Sequence, residues 1–233
     1  MAPAVLLRSA VAMTGRFPAL AGADLTVDEG EAIVLAGPNG AGKTSLLRVC
    51  AGLLRLTSGE ALVLGHDLVA DPVAVRRDVA LLGHSPALYD DLSVAENVRF
   101  AVRASGGDTR SVPDALERLG LVGRLPKTPA GRLSAGQRKR VGLAVIIARS
   151  PRLWLLDEPH ASLDAGAREE LDGIVSEAVA GGATVIAASH EPGASASMAA
   201  RLVSMAGGRV TPSRHTPVAP GAVVALSGGP HVA

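Results

Sequence analysis

Residues 32–54, AIVLAGPNGAGKTSLLRVCAGLL, constrain this chain more than any other stretch. The run AIVLA is apolar without interruption, as in a strand buried on both faces, and TSLLRVCAGLL has the character of a helix. Between them Gly37-Pro38-Asn39-Gly40-Ala41-Gly42-Lys43-Thr44 fits G-x-x-x-x-G-K-[ST]. Glycines at those positions let consecutive backbone N–H groups converge, and the start of the helix adds a favourable dipole. The order strand, loop, helix therefore predicts a cradle for the phosphates of a nucleoside triphosphate. In it Lys43 is expected to reach the β- and γ-phosphates and Thr44 to coordinate Mg²⁺, with Ser45 beside them.

The rest of the chain supplies the layers such a loop needs. Strand-like runs recur as AVLLRSAVAM, ADLTV, EALVLG, DVALLGH, RLWLLDEP and ATVIAASH, with helical patterns between several of them. That alternation predicts an α/β class with a largely parallel sheet. The stretch from about residue 90 to 148 differs. It carries only helical candidates, SVAENVRFAVRAS, VPDALERLGL and SAGQRKRVGLAVIIA, and reads as a helical subdomain inserted between two strands of one domain spanning residues 1–211. After GGRV, residues 212–233 are rich in Pro, Gly, Ser and Ala and are expected to form a mobile tail.

Composition excludes several alternatives. The net charge is +1 and no long basic run occurs, which argues against a nucleic-acid partner. The compact cluster Arg138-Lys139-Arg140 reads as a solvated helix face. Cys50 is the single cysteine, so neither a disulfide nor a thiolate metal cage is expected, and it reads as a small buried hydrophobe. Arg8 interrupts the apolar N-terminal stretch, which reads as a first strand rather than a signal peptide. No segment approaches the length of apolar chain that crosses a bilayer.

RLWLLDEP, residues 152–159, predicts a buried strand ending in two acids. Asp157 is placed to hold the shell of Mg²⁺, and Glu158 to orient and polarise an attacking water. A GTPase would carry Asn-Lys-x-Asp to read its base. Here the asparagines are Asn39 and Asn97, followed by Gly40 and Val98, so that reading fails.

LSAGQRKRVGLA, residues 133–144, decides among the remaining classes. Ser134 is a good helix N-cap, and Ala135 and Gly136 are small enough for close approach at the helix start. The stretch resembles the signature motif of ABC transporter ATPases, usually Leu-Ser-Gly-Gly-Gln, with Ala135 in place of the first glycine and Gln137 at its end. Asp157 lies 23 residues beyond Ser134, as in that family. The resemblance covers roughly residues 4 to 210. It implies a P-loop NTPase with a RecA-like, mostly parallel sheet, an antiparallel β region and the inserted helical subdomain.

It also implies the remaining site residues. SLD, residues 162–164, resembles the loop that crosses to a partner subunit, so Asp164 is expected near nucleotide; His190 stands at the histidine that contacts the γ-phosphate. Phe17, 20 residues before Gly37, stands where the family stacks an aromatic ring on adenine, although a lone Phe in a loop is as often a packing residue.

One segment is more particular. LLGHSPALYDDLSVAENVRF, residues 81–100, has His84 where most members carry a glutamine that ligates Mg²⁺. Together with the LSAGQ variant this resembles the haem-exporter ATPase of cytochrome c maturation, with a drug or lipid exporter ATPase as the alternative. A soluble ABC ATPase acting on ribosomes or DNA is more remote, since such proteins usually carry paired cassettes or a long insertion. The resemblance implies an ATPase that works as two copies sandwiching ATP head to tail, at the cytoplasmic face of the membrane beside integral membrane permease subunits. None of the six histidines lies in a C-x-x-C-H motif, so no haem is expected on this chain. His66, His160, His215 and His231 read as surface residues or as supports behind the site.

Overall fold

The computed structural model describes residues 2–161, 163–190, 198 and 200–211. The expected tail, residues 212–233, lies outside them, as do Ser162, His215 and His231.

Among the described residues two sheets and five α-helices form the frame, with four short 3-10 helices in the connections. β1 (Pro3–Thr14) and β2 (Phe17–Asp28) form an antiparallel hairpin, which β4 (Ser58–Val63) and β5 (His66–Asp67) extend into a four-stranded sheet of order β2-β1-β4-β5. The second sheet is built on β3 (Ala32–Ala36), β6 (Val79–Leu82), β7 (Leu153–Asp157), β8 (Thr184–Ser189), β9 (Arg201–Ala206) and β10 (Arg209–Thr211). Its order is β10-β9-β3-β8-β7-β6, parallel throughout except for the β9–β10 hairpin. The α/β class and the mostly parallel sheet are as expected. β9 was not expected: RLVSMA buries only Val203 and Met205, a half-exposed alternation too short to stand out.

The central strands β3, β7 and β8 are apolar on both faces because a separate core packs each one. Leu153 and Leu155 of β7, Ile33 and Leu35 of β3, and Ile186 and Ala188 of β8 face the antiparallel sheet and α1 (Lys43–Cys50). The alternate residues Trp154, Leu156, Val34, Val185 and Ala187 face α2 (Val94–Ala104), α3 (Val112–Arg118), α4 (Ala135–Arg149) and α5 (Ala165–Ala180). Side chains alternate across a strand with period two, so a sheet between two apolar layers must be apolar at every position. Cys50 lies fully buried in the first of these cores, where desolvation pushes its thiol up to about 12.

α2, α3 and α4 lie in sequence between β6 and β7. α2 and α4 start at matching capping boxes. The side chain of Ser93 accepts from the N–H of Glu96, and that of Ser134 from the N–H of Gln137, while each third-position side chain accepts from the N–H of its capping serine. Such a cap is worth about 1 kcal/mol.

The Arg138-Lys139-Arg140 cluster is not the solvated face its charge suggested. Lys139 is only 3% exposed, and its Nζ donates to the carbonyl oxygens of Glu158 and Ala161. Arg138 donates to Asp90 and to the carbonyl of Ala130, and Arg140 to the carbonyl of Leu119. α4 packs on several sides at once, and long aliphatic stems carry the cationic heads through it to backbone acceptors.

Candidate functional site

The loop between β3 and α1 turns so tightly that parts of it admit no side chain. Gly42 has φ +103, and a Cβ there would meet the carbonyl oxygen of Ala19 at 2.5 Å. A Cβ on Gly37 would meet that of Met205 at 2.2 Å. Lys43 curls back over the loop: its Nζ donates to the carbonyl oxygens of Gly37, at 2.6 Å, and Pro38, at 3.2 Å. The ammonium, largely buried, is thereby held above the loop.

Beside the loop, β7 delivers its acids at its carboxyl end, where open parallel sheets present ligands. Asp157 is 5% exposed and its Oδ2 accepts from Thr44 Oγ1 at 2.9 Å, which joins β7 to the first turn of α1. Two hard oxygen donors in contact, one of them ionisable, suit a Mg²⁺ ion. Glu158 follows with φ +49, a left-handed backbone rare outside glycine, costing on the order of 1–2 kcal/mol. Its N–H donates to the carbonyl of Ala188 at 2.9 Å. Its side chain, 15% exposed, meets His190 Nδ1 at 2.9 Å through Oε2. Both acids therefore lie at the same end of the sheet, but the reversal at Glu158 gives them different partners.

The turn after Glu158 is tied down on every side described. Lys139 holds its carbonyls from α4, His160 Nε2 meets Asp172 Oδ1 of α5 at 2.8 Å, and Arg168 Nε donates to the Leu163 carbonyl at 3.2 Å. Asp164 caps α5 by accepting from the N–H of Ala167 at 2.9 Å. His160 is thus buried rather than superficial, whereas His66 is exposed.

A cleft of about 290 Å³ opens over the loop. Asn39, Gly40, Ala41, Gly42, Lys43, Thr44 and Ser45 line it with His84, Asp157 and Glu158. His84 reaches it from the connection that follows β6. Ala19, unmarked by any motif, also lines it. Gly37 and Pro38 contribute the carbonyls that hold Lys43. Other candidates do not line this cleft. Phe17 stands 79% exposed at the start of β2, so it is no packing residue. Ser134, Ala135, Gly136 and Gln137 begin α4, and Asp164 begins α5. Lys139 was missed as a support of the site, because a lysine inside a basic cluster carries no sequence signal of burial; His160 takes the supporting one of the two roles read for it.

The arrangement can hold a triphosphate on backbone N–H groups and Lys43, bind a divalent cation on oxygen, and present a carboxylate to a water. Comparison with known proteins gives the family. The ABC transporter family pattern matches residues 20–161. The cytochrome c biogenesis ATP-binding export protein CcmA of Aromatoleum aromaticum is 44% identical over 173 residues, covering 73% of this chain and 80% of that protein. The protein of the same name from Bordetella bronchiseptica is 40% identical over 195 residues, covering 82% and 85%. Among solved structures, an ATP binding subunit of an ABC transporter superposes with a TM-score of 0.81 at 26% identity, over 88% of this chain and 87% of that one. A dimeric ATP-binding cassette in a post-hydrolysis state with ADP and Pi also gives 0.81, at 24% identity, over 88% and 96%. With a phosphate loop, a strand-end acid pair and more than half its length in the family pattern, the chain belongs to the ABC transporter family, among its cytochrome c biogenesis ATP-binding export proteins.

Proposed function

We propose that this ABC ATPase powers export across the cytoplasmic membrane in cytochrome c biogenesis, with haem or a haem-linked species as the cargo of its membrane partners. ATP rests on residues 37–45, its adenine against Phe17. Thr44 and Asp157, with His84 lining the same cleft, would hold Mg²⁺, which would neutralise phosphate charge as the nucleotide reacts. Glu158 accepts a hydrogen bond from the attacking water. The water oxygen bonds to the γ-phosphorus as the bond from that phosphorus to the β,γ-bridging oxygen breaks. ADP leaves with the electron pair, and the water's proton passes through Glu158 to the released phosphate. His190 meets Glu158 through Nδ1 and stands at the γ-phosphate.

Hydrolysis takes two chains. Ser134, Ala135, Gly136 and Gln137 lie outside their own chain's cleft, at a capped helix start that can serve a neighbour's γ-phosphate. Two copies therefore sandwich two ATP molecules, with Asp164 near the seam, and sit on integral membrane permease subunits at the cytoplasmic face. No described helix is long and apolar enough to cross a membrane; the transport path is assigned to those partners. No nucleic acid or direct haem contact is assigned to this chain.

The observation that carries the export reading is 40–44% identity, over 80% or more of their length, to proteins named for cytochrome c biogenesis export. The test is restoration of covalent haem attachment to c-type cytochromes in a bacterium lacking its own such ATPase, by this chain with its membrane partners. Restored export of a drug or lipid without cytochrome maturation would overturn it. For the two-chain mechanism, a Lys43→Ala chain keeps its signature and a Ser134→Arg chain keeps its phosphate loop and acids. Their mixture should recover activity that neither homodimer has. A Ser134→Arg protein as active as wild type would overturn that part.

A further inference from the structure

Lys139 lies where α4, the helix that begins at Ser134, passes behind the turn bearing Glu158. It is 3% exposed, and its Nζ donates to the carbonyl oxygen of Glu158 and, at 3.0 Å, to that of Ala161. A buried ammonium is costly to desolvate and persists where dipoles take up its three donors. Here two such dipoles belong to the turn that needs support. Glu158 has φ +49, which a residue with a Cβ keeps only when its surroundings enforce it. On the far side the turn is tied to α5 through His160 and Asp172, at 2.8 Å. Lys139 reaches the Glu158 peptide itself from α4.

We propose that Lys139 is a positioning residue for hydrolysis. It fixes the Glu158 peptide, and with it the carboxylate that meets His190, and it ties that carboxylate to the helix whose start serves the neighbouring chain's ATP. This inference rests on the two-chain reading above. Movement of α4 as Ser134 engages the neighbour's γ-phosphate is passed by direct hydrogen bonds to Glu158 of the same chain. Each carboxylate thus responds to what its own chain grips in the opposite site. Such a link lets occupancy of one site raise the rate at the other without any contact between the two nucleotides, while a single rebuilt site keeps part of its activity.

The test uses the full chain. Lys139→Met keeps the stem and removes the donors, Lys139→Gln keeps a neutral N–H donor, and Lys139→Arg keeps the charge and several donors. Lys139→Met should lower kcat at least tenfold while the Kd for ATP stays within twofold, because Lys43, Thr44 and the loop are untouched. Lys139→Gln should fall between Met and wild type, and Lys139→Arg should recover at least half of the lost rate. If Lys139→Met does not fold, the kcat of Lys139→Gln, expected three- to tenfold down at unchanged Kd, decides. A kcat within twofold of wild type for the most disruptive folded variant, a parallel loss of ATP affinity, or equal losses in Met and Arg would overturn the proposal.

Mixed dimers then locate the effect. Lys139→Met placed in the Ser134→Arg chain, which supplies only the phosphate loop and Glu158, should abolish the recovered activity. Placed in the Lys43→Ala chain, which supplies only the signature, it should cost less. The reverse order would overturn the assignment to Glu158. Failure of the unmodified mixture to recover activity would instead count against the two-chain reading, with the kcat and Kd of the homodimers still judging Lys139.

Discussion

Thr44 and Asp157 are 113 residues apart in sequence, yet Thr44 Oγ1 donates to Asp157 Oδ2 at 2.9 Å. This bond closes the cleft between the first turn of α1 and the end of β7, and it sets two oxygens side by side for a cation. Thr44→Val keeps the shape and removes the donor, leaving a buried carboxylate short of a partner. Stability without nucleotide should fall by about 1–3 kcal/mol, measured by urea unfolding, and Mg²⁺-dependent hydrolysis should be lost. Unchanged stability with unchanged hydrolysis would mean that the pair matters to neither.

Glu158→Gln is nearly isosteric but cannot take up a proton from water as a carboxylate can. Turnover should drop by roughly a hundredfold or more, while ATP binding persists and trapped ATP drives the chain into a dimer on size-exclusion chromatography. Wild-type hydrolysis by this variant would remove Glu158 from its role.

Phe17 offers its ring to solvent, so its loss should not disturb the fold. Phe17→Ala should leave the unfolding free energy within about 0.5 kcal/mol. ATP affinity should weaken by about 1–3 kcal/mol, the worth of stacking on a base, with a similar loss for other purine triphosphates. Titration calorimetry reads both the affinity and the base dependence, and unaltered affinity would exclude stacking.

His84 lines the cleft from the connection between β6 and α2, at the junction of the parallel sheet and the inserted helices. A neutral imidazole there can meet Mg²⁺ or its water, though with a reach different from an amide oxygen. His84→Ala should keep ATP affinity within about tenfold, or roughly 1.4 kcal/mol, while stimulation of hydrolysis by the membrane partner disappears. Complete loss of nucleotide binding would make His84 a structural residue instead.

The phosphate loop is legible in the sequence because its chemistry is local. A loop of eight residues must carry glycine where the backbone turns left-handed or meets Ala19 and Met205 at close range, and its lysine folds back onto the carbonyls of Gly37 and Pro38. The doubly apolar strands β3, β7 and β8 are legible for a similar reason, since a strand between two cores shows an unbroken apolar run. The capped starts of α2 and α4 are likewise written within four residues each.

What no local pattern encodes is where long-range partners meet. β9 joins β3 only through pairing across more than 160 residues, and its half-exposed alternation is too weak a signal alone. Lys139 looks like its neighbours Arg138 and Arg140 in sequence. Its burial follows from packing α4 against the turn after β7, where an ammonium finds two carbonyls in place of water. The left-handed backbone of Glu158 also follows from that packing, because glutamate has no intrinsic preference for it and the ties from α4, α5 and β8 hold it there. Local sequence carried the chemistry of the site, and the tertiary contacts decided which side chains hold it in place.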